Sequence, residues 1–185
     1  MIEIIAGTNR PGSNTLKVAT AIKKLYEEQG VEVGLFSLED LPPEIFDPSS
    51  YAQKPASFKP IQDRILKADG LHVVTPEYNG GFPGVLKYFI DMLKFPESFE
   101  ARPVAFTGVA AGIWGAIRPI EMLQLIFGYR NAYFYPKRVF FPGVNDKLDD
   151  AGAVKPGAEL DLLKDQVSGF AAFVEKHKEE PSKEV

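Results

Sequence analysis

The sequence predicts an α/β fold, a doubly wound sheet of five parallel strands with helices on both faces. Three observations predict it. Short apolar runs alternate along the chain with longer segments of helical periodicity, the order of strand-helix-strand units, and such units pair in parallel. One of these runs, Leu71-His72-Val73-Val74-Thr75, is almost continuously apolar, as in a strand covered on both sides. Loops rich in Gly, Pro and polar residues follow the first, third and fourth runs, at the edge where open α/β sheets bind ligands.

The first strand covers residues 2–6 and runs straight into Gly7-Thr8-Asn9-Arg10-Pro11-Gly12-Ser13-Asn14-Thr15, after which Leu16, Ala19, Ile22, Lys23 and Tyr26 repeat at helical spacing to about Gln29. Gly30 stops that helix, and residues 31–36 alternate as a second strand. Residues 38–60 contain five prolines and break both periods, so a long irregular connection with at most short helical turns is expected, of a size that often borders a site. Ile61, Ile65, Leu66 and Ala68 mark a second helix before the third strand, which ends at Pro76. A loop over residues 76–81 then opens a helix at Pro83, with Val85, Leu86, Phe89, Ile90 and Leu93 on its apolar face. Residues 103–107 read as the fourth strand, residues 108–115 as a Gly- and Ala-rich loop, and Ile120, Leu123, Leu125 and Phe127 as the apolar residues of the next helix. The fifth strand falls within residues 132–141, where Pro136 implies an edge position or a break. Leu160, Leu162, Leu163, Val167, Phe170, Phe173 and Val174 give a terminal helix, and the charged tail from 177 to 185 is expected to fray.

With 185 residues, 45% hydrophobic and 25% charged, the chain is expected to form a single domain over residues 1–185. A net charge of -4, with Lys and Arg spread thinly, argues against nucleic acid as a partner. The first strand starts at residue 2 and no stretch approaches the roughly 18 apolar residues of a membrane span, so a soluble, cytoplasmic protein is expected. Without cysteine there is no thiolate nucleophile, iron-sulfur cluster or thiolate zinc site, and no metal site is expected. Redox chemistry would have to come from a bound organic cofactor.

The loop after the first strand is the most informative segment. A turn of Gly, hydroxyl and amide residues at a helix N-terminus aims backbone N–H groups and the positive end of the helix dipole at one point, which binds an anion, most often a phosphate. Gly7 and Gly12 have the spacing of the nucleoside-triphosphate loop, but Ser13 stands where its Lys belongs and Asn14 where its Mg²⁺-binding hydroxyl belongs. The dinucleotide fingerprint fails as well, because Asn9 takes the position of its second glycine. What remains is a set of short donors, Thr8, Ser13, Asn14 and Thr15, with the guanidinium of Arg10, suited to the single terminal phosphate of a mononucleotide. The plainer reading is that Ser13 caps a helix and Arg10 is solvated.

Two segments carry a resemblance. Gly7-Thr8-Asn9-Arg10-Pro11-Gly12-Ser13 is similar to the G-S-x-R-x-x-S loop, and Pro76-Glu77-Tyr78-Asn79-Gly80-Gly81-Phe82-Pro83-Gly84-Val85-Leu86-Lys87 is close to the P-E-Y-N segment and following P-G-x-L-K helix, of the NAD(P)H-dependent FMN reductases. That family has the flavodoxin-like fold and includes quinone, azo-dye and chromate reductases. The similarity spans roughly residues 2–125. Thr8 replaces the usual Ser and keeps its hydroxyl, Tyr88 replaces a usual Asn, and Gly112-Ile113-Trp114-Gly115 lacks a basic residue common between those glycines.

The resemblance implies an FMN-dependent oxidoreductase that moves hydride from NADPH or NADH through FMN to a quinone, azo compound, flavin or metal ion, with no catalytic side chain of its own. It places the FMN phosphate among Thr8, Arg10, Ser13, Asn14 and Thr15, and the flavin's polar edge along Pro76, Glu77, Tyr78, Asn79 and Gly80. The loop containing Gly108, Ala110 and Gly112 would form the other wall. It also implies a homodimer or homotetramer, and the aromatic C-terminal third, Tyr129, Tyr133, Phe134, Tyr135, Phe140 and Phe141, reads as core or subunit interface more than as a site for an aromatic acceptor. Beside these roles, Tyr78 reads equally as a loop anchor and Glu77 as a carboxylate capping loop amides, while Trp114 and Phe82 lie in site loops and are candidates for flavin or acceptor contact. His72 is expected to be a hydrogen-bonded core residue and His177 to be solvated. The alternative from another class is a flavodoxin-type single-electron carrier, which the modest net charge and the P-E-Y-N segment argue against.

Overall fold

The computed structural model describes residues 1–178. Its strands are β1 (Ile2–Ala6), β2 (Val33–Ser37), β3 (Gly70–Pro76), β4 (Pro103–Val109), β5 (Tyr133–Phe134) and β6 (Val139–Phe141). The helices are α1 (Asn14–Glu28), α2 (Lys59–Lys67), α3 (Gly84–Met92), α4 (Ile117–Tyr129), α5 (Val144–Lys147) and α6 (Ala158–Lys178). All strand pairs are parallel in the order β2-β1-β3-β4, with β5 and β6 sharing the outermost position beside β4.

Alternation along each strand divides the core in two. Ile2, Ile4, Ala6, Val74, Ala105 and Val109 join one cluster with Val18, Ala19 and Ile22 of α1 and Leu163, Val167 and Phe170 of α6. Ile5, Leu71, Val73, Val104 and Phe106 join the other with Ile65 of α2, Leu86, Phe89 and Ile90 of α3, and Ile120, Leu123 and Phe127 of α4. Each buried Val, Leu, Ile or Phe among them contributes about 1.5–3 kcal/mol on leaving water, so sheet and helices are held by both faces at once. The expected doubly wound architecture is thus present, with one refinement at its edge. Tyr135 N–H still donates to Val104 C=O (2.9 Å), but Pro136 has no N–H to give, and the fifth strand splits into β5 and β6.

Residues 38–58 form four short 3₁₀ turns. They are pinned to α3 by Tyr88, whose hydroxyl donates to Ile45 C=O (2.5 Å) and whose ring lies 5.0 Å from that of Phe46 and 5.5 Å from that of Tyr51. Leu125, counted with the apolar face of its helix, is 77% exposed instead. His177 is not freely solvated. Its ring packs 4.1 Å from that of Phe173, and its Nδ1 lies 2.8 Å from Phe173 C=O. Of the tail expected to fray, His177 and Lys178 end α6, and residues 179–185 lie outside the described residues.

A buried polar chain crosses the sheet beneath one face. Gln166 Nε2 donates to Phe106 C=O (2.9 Å) and Lys137 C=O (3.0 Å), and Gln166 Oε1 accepts from the Thr107 hydroxyl (2.8 Å). Thr107 has then spent its proton and accepts from His72 Nε2–H (2.9 Å), which leaves Nδ1 to accept from the Tyr26 hydroxyl (2.9 Å). Every bond has one direction, and the imidazole is neutral, protonated on Nε2. Burial lowers the His72 pKa from 6.5 to about 3 against the opposing pull of Gln166, and it raises the Tyr26 hydroxyl well above its ordinary value. The same Gln166 amide fastens the strand break at Lys137.

Candidate functional site

At the carboxyl edge of the sheet the chain leaves β1 and β3 in opposite directions, and a crevice opens between the two exits. The loop from β1 turns into α1 at Ser13, whose Oγ accepts from Leu16 N–H (3.1 Å) as the helix N-cap. The Asn14 and Thr15 N–H groups lack intrahelical acceptors by helix geometry, so the positive end of a fifteen-residue helix faces the crevice.

The loop from β3 is a two-residue hairpin. Tyr78 N–H donates to Gly81 C=O (2.8 Å) and Gly81 N–H to Tyr78 C=O (3.0 Å), with Asn79 (φ 52°) and Gly80 (φ 76°) left-handed between them. Asn-Gly is the pair that tolerates two positive φ angles in succession. Two side chains tie this hairpin into place. The Tyr78 hydroxyl meets the buried Thr8 hydroxyl at 2.9 Å, and Thr8 Oγ1 also accepts from Arg10 N–H (3.3 Å). Glu77 Oε2 accepts from Ala116 N–H (3.1 Å), where the chain enters α4 with a left-handed residue, and Glu77 N–H donates to Val109 C=O (3.0 Å). Glu77 therefore caps a loop amide, and Tyr78 anchors two loops to each other.

These loops enclose a cavity of about 400 Å³ lined by Arg10, Ser13, Asn14 and Thr15, by Pro76, Glu77 and Tyr78, by Val109, Ala110 and Ala111, and by Val144 and Asn145. Eight of the thirteen residues expected at a cofactor site line it. Thr8 is buried outside the lining and bonded to Tyr78, and Asn79 and Gly80 form the hairpin tip beside Arg118 of α4. Gly108 faces away. A Cβ there would sit 2.6 Å from Gly115 C=O and 3.0 Å from Ala116 Cβ, so its role is close packing of the β4 exit. A Cβ on Gly112 would meet nothing within 4 Å. Trp114 is 62% exposed outside this lining, and Phe82 packs on the core. Val144 and Asn145 had no sequence signal, because only the return of β6 beside β4 brings them to α1. A second recess of about 320 Å³ at the opposite edge of the sheet, near Asp69, Arg102 and Lys178, has none of the loop convergence of the first.

The donor set fits a phosphate-bearing ligand. Hydroxyls, amides, a guanidinium and a helix N-terminus converge at one end, and the carboxylate in the lining, Glu77, has an oxygen committed to Ala116. The small side chains of Ala110 and Ala111 leave width at the other end for a flat ring, within a volume typical of cofactor pockets.

Residues 1–146 match the family model described as NADPH-dependent FMN reductase. The chain belongs to this family. Among its relatives are a quinone reductase of Escherichia coli, 31% identical over 178 residues, covering 94% of this chain and 95% of that one. An FMN-dependent NADPH-azoreductase of Staphylococcus saprophyticus is 29% identical over 176 residues, covering 90% and 93%. Among solved structures, the flavoenzyme NAD(P)H:acceptor oxidoreductase FerB of Paracoccus denitrificans has a TM-score of 0.77 at 24% identity, covering 95% of this chain and 97% of that one. A flavodoxin of Megasphaera elsdenii, at TM-score 0.58 and 15% identity over 91% of this chain and 98% of its own, shares the fold. The flavodoxin-like fold, the FMN cofactor and the reductase class follow from these matches. No helix of the described residues is long and apolar enough to cross a membrane.

Proposed function

We propose that the 400 Å³ cavity is the FMN site of an NAD(P)H-dependent reductase, with its phosphate at the α1 N-terminus and its ring between the Tyr78 hairpin and the β4 exit loop. The observation that carries this reading is the convergence of the phosphate-type loop, the hairpin and the small-residue wall on one crevice. Bound FMN supplies hydride transfer between NADPH or NADH and a small acceptor. The chain's own residues bind and orient. Ser13, Asn14, Thr15 and Arg10 neutralise and hydrogen-bond a dianion, and the Thr8–Tyr78 and Glu77–Ala116 bonds fix the separation of the walls. Ala110, Ala111 and Gly112 leave one side open for the nicotinamide and then the acceptor, for which geometry rather than an acid or base sets the rate.

Quinones and azo compounds are the acceptors to assay first, given the named relatives. In this reading residues 1–185 form one cytoplasmic flavin-binding domain, and a second copy covers the exposed apolar face of Ile117, Met122, Leu125 and Tyr129 on α4, beside the site hairpin. The test is direct. Protein reconstituted with FMN should show flavin absorption bands that bleach within seconds of anaerobic NADPH addition and recover with benzoquinone. Bound flavin that stays oxidised refutes the reductase reading in favour of a single-electron carrier, and failure to take up FMN refutes the site.

A further inference from the structure

We propose that Asn145 is a ligand for the flavin's phosphate end, supplied from a fourth wall far along the chain. The inference rests on the placement of FMN just proposed and adds a residue that neither loop motif contains. Asn145 lines the same cavity as Arg10 to Thr15. Its Oδ1 accepts from Asn14 Nδ2 at 2.8 Å, across 131 residues of sequence. Asn14 is the first residue of α1, so this bond joins the fourth wall of the cavity directly to the helix end where an anion is most favoured.

The polarity of the amide matters. An asparagine has one acceptor end and one donor end, and here Asn14 takes the acceptor. The Nδ2 hydrogens of Asn145 have no protein acceptor among the described residues, which leaves two donors at the mouth of a donor-lined, anion-favouring crevice.

The wall that carries Asn145 is rigidly set. Val144 N–H donates to Ala110 C=O (3.0 Å), Gly143 N–H to Gly112 C=O (3.1 Å), and Ala110 N–H to Phe141 C=O (3.0 Å), so the exits of β4 and β6 are laced together just before Asn145. Just after it, Lys147 pairs with Glu159 (2.7 Å) and its C=O accepts from Lys155 N–H (2.9 Å). Val144 itself is buried. A backbone anchored on both sides of Asn145, with the side chain already bonded to Asn14, leaves little main-chain freedom to lose when a ligand arrives.

Substitution separates a ligand from a mere clasp. Asn145→Asp keeps an oxygen to accept from Asn14 and replaces only the donors, now with negative charge facing phosphate. Asn145→Ala removes both functions. Apoprotein is titrated with FMN and, in parallel, with riboflavin, which has the same ring and no phosphate, following flavin fluorescence. The FMN dissociation constant should rise about tenfold for Asn145→Ala and roughly a hundredfold for Asn145→Asp, less at high salt, with riboflavin affinity unchanged in both. Equal weakening of FMN and riboflavin, or an Asn145→Asp protein within twofold of wild type for FMN, overturns the proposal. Ser13→Asp serves as the reference for the site itself. If it abolishes the preference for FMN over riboflavin while Asn145→Asp does not, only the role of Asn145 falls; if neither variant touches that preference, the placement of the phosphate falls too.

Discussion

Acidification should destabilise this protein in part through His72. His72 is wholly buried, with its pKa lowered from 6.5 to about 3, so the folded state refuses a proton that the unfolded chain accepts. Stability from this group is complete above about pH 6.5 and is lost as the pH falls towards 3. The slope is about 1.4 kcal/mol per pH unit and the ceiling, over some 3.5 units, is about 5 kcal/mol. Between pH 6.5 and 4 the loss is about 3 kcal/mol, a large share of the 5–15 kcal/mol that typically holds a domain together. Glu3 works in the opposite sense. Burial raises its pKa against the pull of Arg64, so its contribution is lost as the pH rises through that raised value. Comparing wild type with His72→Gln, which cannot titrate, cancels Glu3 and every other carboxylate. Urea unfolding of the apoproteins at pH 7, 6, 5 and 4, read by circular dichroism, should show the two stability curves converging by about 3 kcal/mol towards acid. Parallel curves would refute an imidazole that stays neutral in the fold through this pH range.

Three further outcomes follow from the site and its surroundings. Gly108→Ala places a methyl 2.6 Å from Gly115 C=O and should cost about 1–3 kcal/mol in chemical denaturation while weakening FMN binding, because the β4 exit must shift; an unchanged midpoint would contradict the packing. Glu77→Ala leaves Ala116 N–H without its acceptor and should lower the melting temperature by about 2–8 °C, whereas Glu77→Gln, which keeps an acceptor oxygen, should recover most of it; equal losses would show that the bond is unimportant. Leu125→Glu on the exposed face of α4 should reduce the mass measured by light scattering from that of an oligomer to that of one chain of 20.5 kDa, and an unaltered mass would place the contact elsewhere.

Much of the architecture was legible because period and punctuation agree. Ile2 to Ala6, the Gly30 stop and Pro76 mark elements whose local preferences match the final fold. What stayed hidden has identifiable causes. The helical repeat of Ile120, Leu123 and Phe127 is real, but it cannot separate a covered face from an uncovered one, and Leu125 lies on the uncovered side. Asn79-Gly80 reads as part of a loop in the sequence, although an Asn-Gly pair between two segments is a hairpin signal in its own right. Phosphate-type residues 8–15 were recognisable because they are contiguous. Asn145 was not, since its approach to Asn14 depends on a strand register fixed only when β6 docks on β4. Glu3 reads as an interruption in an apolar run, and its partner Arg64 is found only once α2 has packed across the sheet.

The division of the fifth strand also bears on how these molecules behave at high concentration. A sheet's outer margin offers unpaired main-chain groups on which a stranger can extend the ladder, and aggregation often starts there. Here that margin is two residues on one side of Pro136 and three on the other, with an intervening carbonyl already taken by Gln166. Neither piece is long enough to template a neighbour, so the interruption at Pro136 guards this margin of the sheet against strand addition and leaves β2, five residues long, as the longer of the two edges.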